Sequence, residues 1–155
     1  MREIGSGPSP KCGLSNLGVQ ECGGSVFAVG GSGLEPAFAA AWRLDITTPG
    51  AAWLPAPALP AAMTWTATAC VPTGAGAATL YAIGGFSGQF QPVATVYELS
   101  LGVGGVPSAT AGWAQATALP GVRAQIAGLG VNSTVFAISG LGAGLATTAA
   151  DKLVV

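Results

Sequence analysis

The sequence contains no histidine, and only 7% of its residues are charged. Without an imidazole there is no Ser-His-Asp or Cys-His catalysis, no histidine general base and no histidine-ligated metal. Five basic residues against six acidic ones give a net charge of −1, too little positive charge to track a phosphate backbone. Nucleic acid is therefore excluded as a main partner. No metal or cofactor site is expected.

Long apolar runs are missing as well, although the mean hydropathy is +0.59. The chargeless spans from Ile46 to Tyr97 and from Leu99 to Val122 are broken by Pro55, Pro57, Pro60, Pro72, Pro92 and Pro107. The span from Ala124 to Ala150 is interrupted by Asn132, Ser133, Thr134, Ser139, Thr147 and Thr148. A spanning helix needs about 20 predominantly apolar residues, so none is expected. Met1 to Pro10 lacks the apolar core of a signal peptide, and the compartment stays open.

Cysteine is scarce and oddly numbered. Cys12, Cys22 and Cys70 form no C-x-x-C pair, which removes zinc and redox motifs. The favoured reading is three small buried thiols; the alternative pairs Cys12 with Cys22 across a hairpin. Asn132-Ser133-Thr134 spells an N-glycosylation sequon, which has meaning only if the chain is secreted.

What the sequence does contain is a repeat. Val26-Phe27-Ala28-Val29-Gly30-Gly31 returns as Leu80-Tyr81-Ala82-Ile83-Gly84-Gly85 and again as Val135-Phe136-Ala137-Ile138-Ser139-Gly140, at offsets of 54 and 55 residues. Trp42 and Tyr97 keep the same phase, 55 residues apart. Trp53 and Trp113 are each followed six residues later by Leu-Pro, at Leu59-Pro60 and Leu119-Pro120. The Gly/Pro/Ser segment from Gly102 to Thr110 reads as a loop insertion.

Each copy reads as four short strands. An apolar strand such as Thr66–Val71 leads into the run ending at the glycine pair; an aromatic-x-Leu strand and a Trp-to-Leu-Pro strand follow. No window carries a 3.6-residue period, so helices are not expected. Strand-turn units repeating at this length point to propeller blades. At the end of a buried strand the glycines Gly30, Gly31, Gly84, Gly85 and Gly140 permit positive φ. They also let an aromatic lie on the backbone, with Trp53 and Trp113 as the expected partners.

A glycine pair after an aliphatic-aromatic strand, an aromatic about a dozen residues on, then Trp and Leu-Pro resembles the kelch repeat of β-propellers. The resemblance divides the chain into a tail at 1–7, a first blade at 8–60, a second at 61–120 and a partial third at 121–155. Copy three departs from the pattern at Ser139 and ends without its Trp strand. The expected fold is all-β: two four-stranded blades and a truncated third, a propeller fragment or a chain that associates to close.

By the same resemblance, the position three residues after Leu-Pro heads the innermost strand and faces the central channel. Arg123 and Met63 stand there, and Lys11 stands three residues after Pro8. Lys11 and Arg123 are thus candidate contacts for an acidic group. The loops Ser32–Ala39, Phe86–Ala94 and Leu141–Ala150 should gather on one face. Phe86, Gln89, Phe90 and Gln91 are the most adhesive set among them, aromatics for area and amides for hydrogen bonds. The glycines above, with Trp42, Tyr97, Trp53 and Trp113, are read as structural.

The resemblance implies a non-catalytic scaffold that binds a protein or acidic peptide, with self-association through open blade edges. A carbohydrate-active enzyme is the alternative. Pro120 to Gln125 and Trp42 to Asp45 are similar to parts of kelch-class sialic-acid mutarotases, with Arg123 as carboxylate clamp and Glu98 as acid/base. A copper radical oxidase is excluded, because its metal site needs histidines.

Overall fold

The computed structural model describes residues 14–154 except 109, 111, 144–145 and 147–149. Lys11 and Cys12 lie outside the described residues. The chain forms three antiparallel sheets, with no α-helix among the described residues.

The first sheet runs β1 (Gly18–Cys22), β2 (Ser25–Val29), β3 (Ala41–Asp45) and β4 (Leu54–Ala56), in that spatial order. The second is built on β6 (Ala67–Gly74), β7 (Ala77–Ser87), β8 (Pro92–Gly102) and β10 (Ala114–Gln115). Short β5 (Met63–Thr64) pairs with β7, and β9 (Val106–Pro107) pairs with β8. The third contains β11 (Ala127–Val131), β12 (Thr134–Ile138) and β13 (Ala150–Val154). The all-β propeller reading holds.

The repeated hexapeptides occupy equivalent places, in β2, β7 and β12. Val26 pairs with Leu44 as Leu80 pairs with Leu99, and Ala28 faces Trp42 as Ala82 faces Tyr97. These two hairpins share one register. β4 and β10 each start one residue after a tryptophan, Trp53 and Trp113.

The sheets stand side by side with their first strands innermost. A Cβ on Gly18 would lie 2.6 Å from Thr68 Cγ2, and one on Gly128 would lie 2.6 Å from the Thr68 carbonyl. β1, β6 and β11 are therefore in backbone-close contact. Between the first two sheets lies a core of Cys22, Phe27, Val29, Leu80, Leu99 and Trp113. Between the second and third lies another, with Ala69, Val71, Tyr81, Ile83, Val96, Leu119, Val135 and Ala137. Successive strand residues point to opposite faces, so the second sheet feeds both cores, Leu80 and Ala82 into one and Tyr81 and Ile83 into the other. That is why this run is apolar on both sides.

The structure overturns the cysteine expectations. Cys22 on β1 is disulfide-bonded to Cys70 on β6, with the Cα atoms 5.5 Å apart. The bond joins the inner strands of adjacent blades, within rather than outside the core.

The glycines Gly30, Gly31, Gly84, Gly85 and Gly140 all adopt positive φ as expected, but the expected aromatic partners are corrected. What lies closest over Gly30, Gly84, Gly85 and Gly140 is backbone, and over Gly31 the Leu17 side chain, not an indole ring. A Cβ on Gly84 would be 2.5 Å from the Arg123 carbonyl oxygen, and Gly30 is crowded in the same way by the Met63 carbonyl. Gly85 and Gly31 donate their N–H groups to those same two carbonyls, at 2.7 and 2.9 Å. The strand entering each new blade crosses the previous glycine pair and leaves no room for a ring. Trp113 is buried, but it packs in the first inter-sheet core and donates Nε1–H to the Pro57 carbonyl at 2.8 Å. Trp53 is only half-buried; among the described residues no earlier sheet exists for it to reach back to.

The Gly102–Thr110 insertion is more than a loop. Its turn at Val103–Gly105 reaches back to the first sheet, where the Gly104 carbonyl accepts from Ser25 Oγ (2.9 Å) and Arg43 Nη2 (3.0 Å). Arg43 Nε also donates to Ser25 Oγ at 2.9 Å. Arg43 thereby ties two blades together.

Candidate interaction site

Beyond its glycine pair, β7 continues to Ser87, and the chain turns sharply before β8 begins at Pro92. Ser87 organises the turn. Its N–H donates to the Gln91 carbonyl and its carbonyl accepts from Phe90 N–H, both at 2.9 Å. Its hydroxyl accepts from the N–H groups of Gln89 (3.3 Å) and Gln91 (3.4 Å). The result holds Phe90 at φ 54 with 59% of its surface exposed. A bulky residue in the left-handed region costs on the order of 1–3 kcal/mol, and such strain collects at ligand sites.

Phe90 stands at the edge of a groove of about 550 Å³ between the second and third sheets. Phe86, Gln91 and Pro92 line it from the second sheet, and Val122, Leu141 and Gly142 from segments that flank the third sheet's strands. Val122 comes from the Leu-Pro-to-strand connection, and Leu141 follows the third glycine position. Leu141 is fixed by paired backbone hydrogen bonds with Ala124, at 2.8 and 2.9 Å. The groove is lined by apolar and amide groups without a charge. It can seat apolar side chains and hydrogen-bond a peptide backbone. Of the predicted adhesive set, the structure brings Phe86, Phe90 and Gln91 together here, whereas Gln89 lies exposed on the same turn outside the lining.

Arg123 occupies the predicted repeat phase. Its N–H donates to the Val93 carbonyl at 3.0 Å, as Met63 donates to Phe38 at 3.0 Å. The residue is 7% exposed and its guanidinium pairs with Asp151 on β13 at 2.5 Å. Arg123, a candidate contact for an acidic group, is already paired with a carboxylate that this chain supplies itself. No sequence signal linked the two residues, because Asp151 comes from the third sheet's last strand.

Glu98 and Arg123 are not brought together. Arg123 lies opposite Val93, and Glu98 is five residues farther along β8, opposite Tyr81. At about 3.3 Å per strand residue the two backbone positions are roughly 16 Å apart. Burial raises the Tyr81 phenol above its ordinary value, and the neighbouring Glu98 carboxylate adds to this. Trp42 is half-buried on β3, and its Nε1 has no hydrogen-bond partner among the described residues. Tyr97 is buried on β8.

No protein-family model matches this chain, and no curated protein matches it. A solved structure does: that of YjhT superposes with a TM-score of 0.70 at 17% sequence identity. The fold is propeller-like. The match covers 94% of this chain but 44% of YjhT, so the chain spans less than half the length of that protein.

Proposed function

We propose that this chain is a non-catalytic protein-interaction scaffold of the kelch-repeat type, which binds a protein segment in the Phe86–Phe90 groove. The observation that carries the reading is Phe90, strained and exposed at the rim of an apolar groove that two blades build together. Exposed aromatics of this kind dominate binding energy at interfaces. A ligand's acidic group would have to compete with Asp151 for Arg123, so apolar anchors contribute more to affinity here than charge does. Self-association through the open face of the third sheet belongs to the same reading.

The test is selection of peptides from a displayed random library on the whole chain, followed by titration against variants. Phe90→Ala should weaken a selected peptide by at least about tenfold. Leu54→Ala, at a distant exposed site, should leave it unchanged. Peptides insensitive to Phe86→Ala and Phe90→Ala alike would overturn the proposal.

The sialic-acid mutarotase reading is the second candidate, supported by the resemblances at Pro120 to Gln125 and Trp42 to Asp45. The separation of Glu98 from Arg123 weighs against a single small-sugar site made from those two residues. Proton NMR of N-acetylneuraminate anomers decides it: the scaffold reading expects no acceleration of their exchange.

A further inference from the structure

The sequon Asn132-Ser133-Thr134 is unused by the interaction site, and two independent observations give it meaning. Its Asn132 and Ser133 form the two-residue turn between β11 and β12, with Val131 paired to Thr134 across it. Asn132 and Ser133 are exposed, and Asn132 has φ 53, a conformation that asparagine tolerates better than most residues.

The corresponding turn of the first blade is Gly23-Gly24, and it is covered: a Cβ on Gly23 would meet Gly105 N at 3.0 Å. The third blade's turn carries side chains and lies open, with room for a large substituent. The second observation is the Cys22–Cys70 disulfide. Such a bond forms and persists in an oxidising compartment, the same setting in which asparagine-linked glycans are added.

We infer that Asn132 is an N-glycan acceptor. The donor is a lipid-pyrophosphate-linked oligosaccharide. Asn132 Nδ2 forms a bond to the anomeric carbon of its first sugar, and the bond from that carbon to the phosphate oxygen breaks. The lipid pyrophosphate leaves with the electron pair, and the proton lost from Nδ2 passes to the transferase. No oxidation or reduction is involved. Thr134 supplies the hydroxyl that the acceptor motif requires two residues on. The glycan would stand beside Leu129 and Val131, which are exposed on the adjoining strand.

The experiment expresses the whole chain behind a cleavable leader in eukaryotic cells and measures the intact mass of both the secreted and the lumenal pools. The expected result is a glycoform mass shift, removed by peptide N-glycosidase with conversion of Asn132 to Asp. The shift should be lost in Asn132→Gln and in Thr134→Ala. Glycans are added during translocation, so a variant retained through poor folding is still scored in the lumenal pool. Unmodified Asn132 in both pools, beside a normally glycosylated control protein, would overturn the inference. So would recovery of Cys22 and Cys70 as free thiols from the same preparation.

Discussion

The Arg123 carbonyl oxygen lies 2.5 Å from where a side chain on Gly84 would begin, while the next amide, Gly85 N–H, donates to that same oxygen at 2.7 Å. One blade is fastened to the next by a carbonyl laid over a glycine and caught by its neighbour. Both glycines adopt positive φ, 53° and 115°. The pair answers two requirements at once, conformation and clearance.

Gly84→Ala should therefore be far more damaging than a surface glycine substitution, at about 3 kcal/mol or more, because backbone rather than a yielding side chain stands in the way. Ser139 holds the same phase in the third copy with φ 61 and is exposed. Ser139→Gly should change stability by less than about 1 kcal/mol. Chemical denaturation of the two variants checks the contrast.

The Cys22–Cys70 bond closes a loop with a sequence separation of 48 residues. Cys70→Ser, or reduction, should lower stability by about 2–4 kcal/mol through the greater freedom of the unfolded chain. Paired denaturation curves with and without reductant measure this. Equal stability of wild type and Cys70→Ser under oxidising conditions would contradict it.

Asp45 closes the turn after β3, where its carboxylate accepts from Thr47 Oγ1 (2.7 Å) and Thr47 N–H (2.8 Å) and from Thr48 Oγ1 (3.1 Å). The Thr47 hydroxyl bond, then the Thr47 amide bond, pull its pKa down from 3.8 to about 2. A depressed carboxylate stabilises the folded state above pH 3.8, and that contribution disappears as pH falls through about 2. Carboxyl NMR should find Asp45 titrating at about 2, and Thr47→Val should move it back up.

On the third sheet Leu129, Val131 and Ile138 are 51%, 43% and 40% exposed, all on the face away from Val135 and Ala137. The equivalent residues of the second sheet, Ala69, Val71 and Ile83, are covered by the third. With few charges to blunt this face, the isolated chain should self-associate as concentration rises. Leu129→Lys should weaken that association in sedimentation velocity, and a monodisperse wild-type monomer at high concentration would contradict it.

The blades were legible because their signals are local and periodic. The hexapeptide runs and the aromatics at Trp42 and Tyr97 repeat in phase on equivalent strands, and Trp53 and Trp113 each directly precede an outer strand. What joins one blade to another was not legible. Cys22 and Cys70 meet because both lie on inner strands of neighbouring sheets, a relation visible only once the copies are stacked. Arg43 and Gly104, and Arg123 and Asp151, are pairs of the same kind. The Phe86–Gln91 turn could be identified from residue type, but its partner wall at Val122 and Leu141 depends on how the third sheet docks.

Backbone amide hydrogen exchange at Gly31 and Gly85 tests most directly the claim that repeated glycine pairs fasten the blades. Neither amide bonds within its own sheet's ladder; each donates to the following blade, to Met63 and Arg123. The account predicts that both are protected to the level of the β7 core amides at Leu80 and Ala82, and that Gly84→Ala abolishes the protection at Gly85. Rapid exchange of Gly31 and Gly85 in the wild-type chain, with β7 still protected, would contradict it.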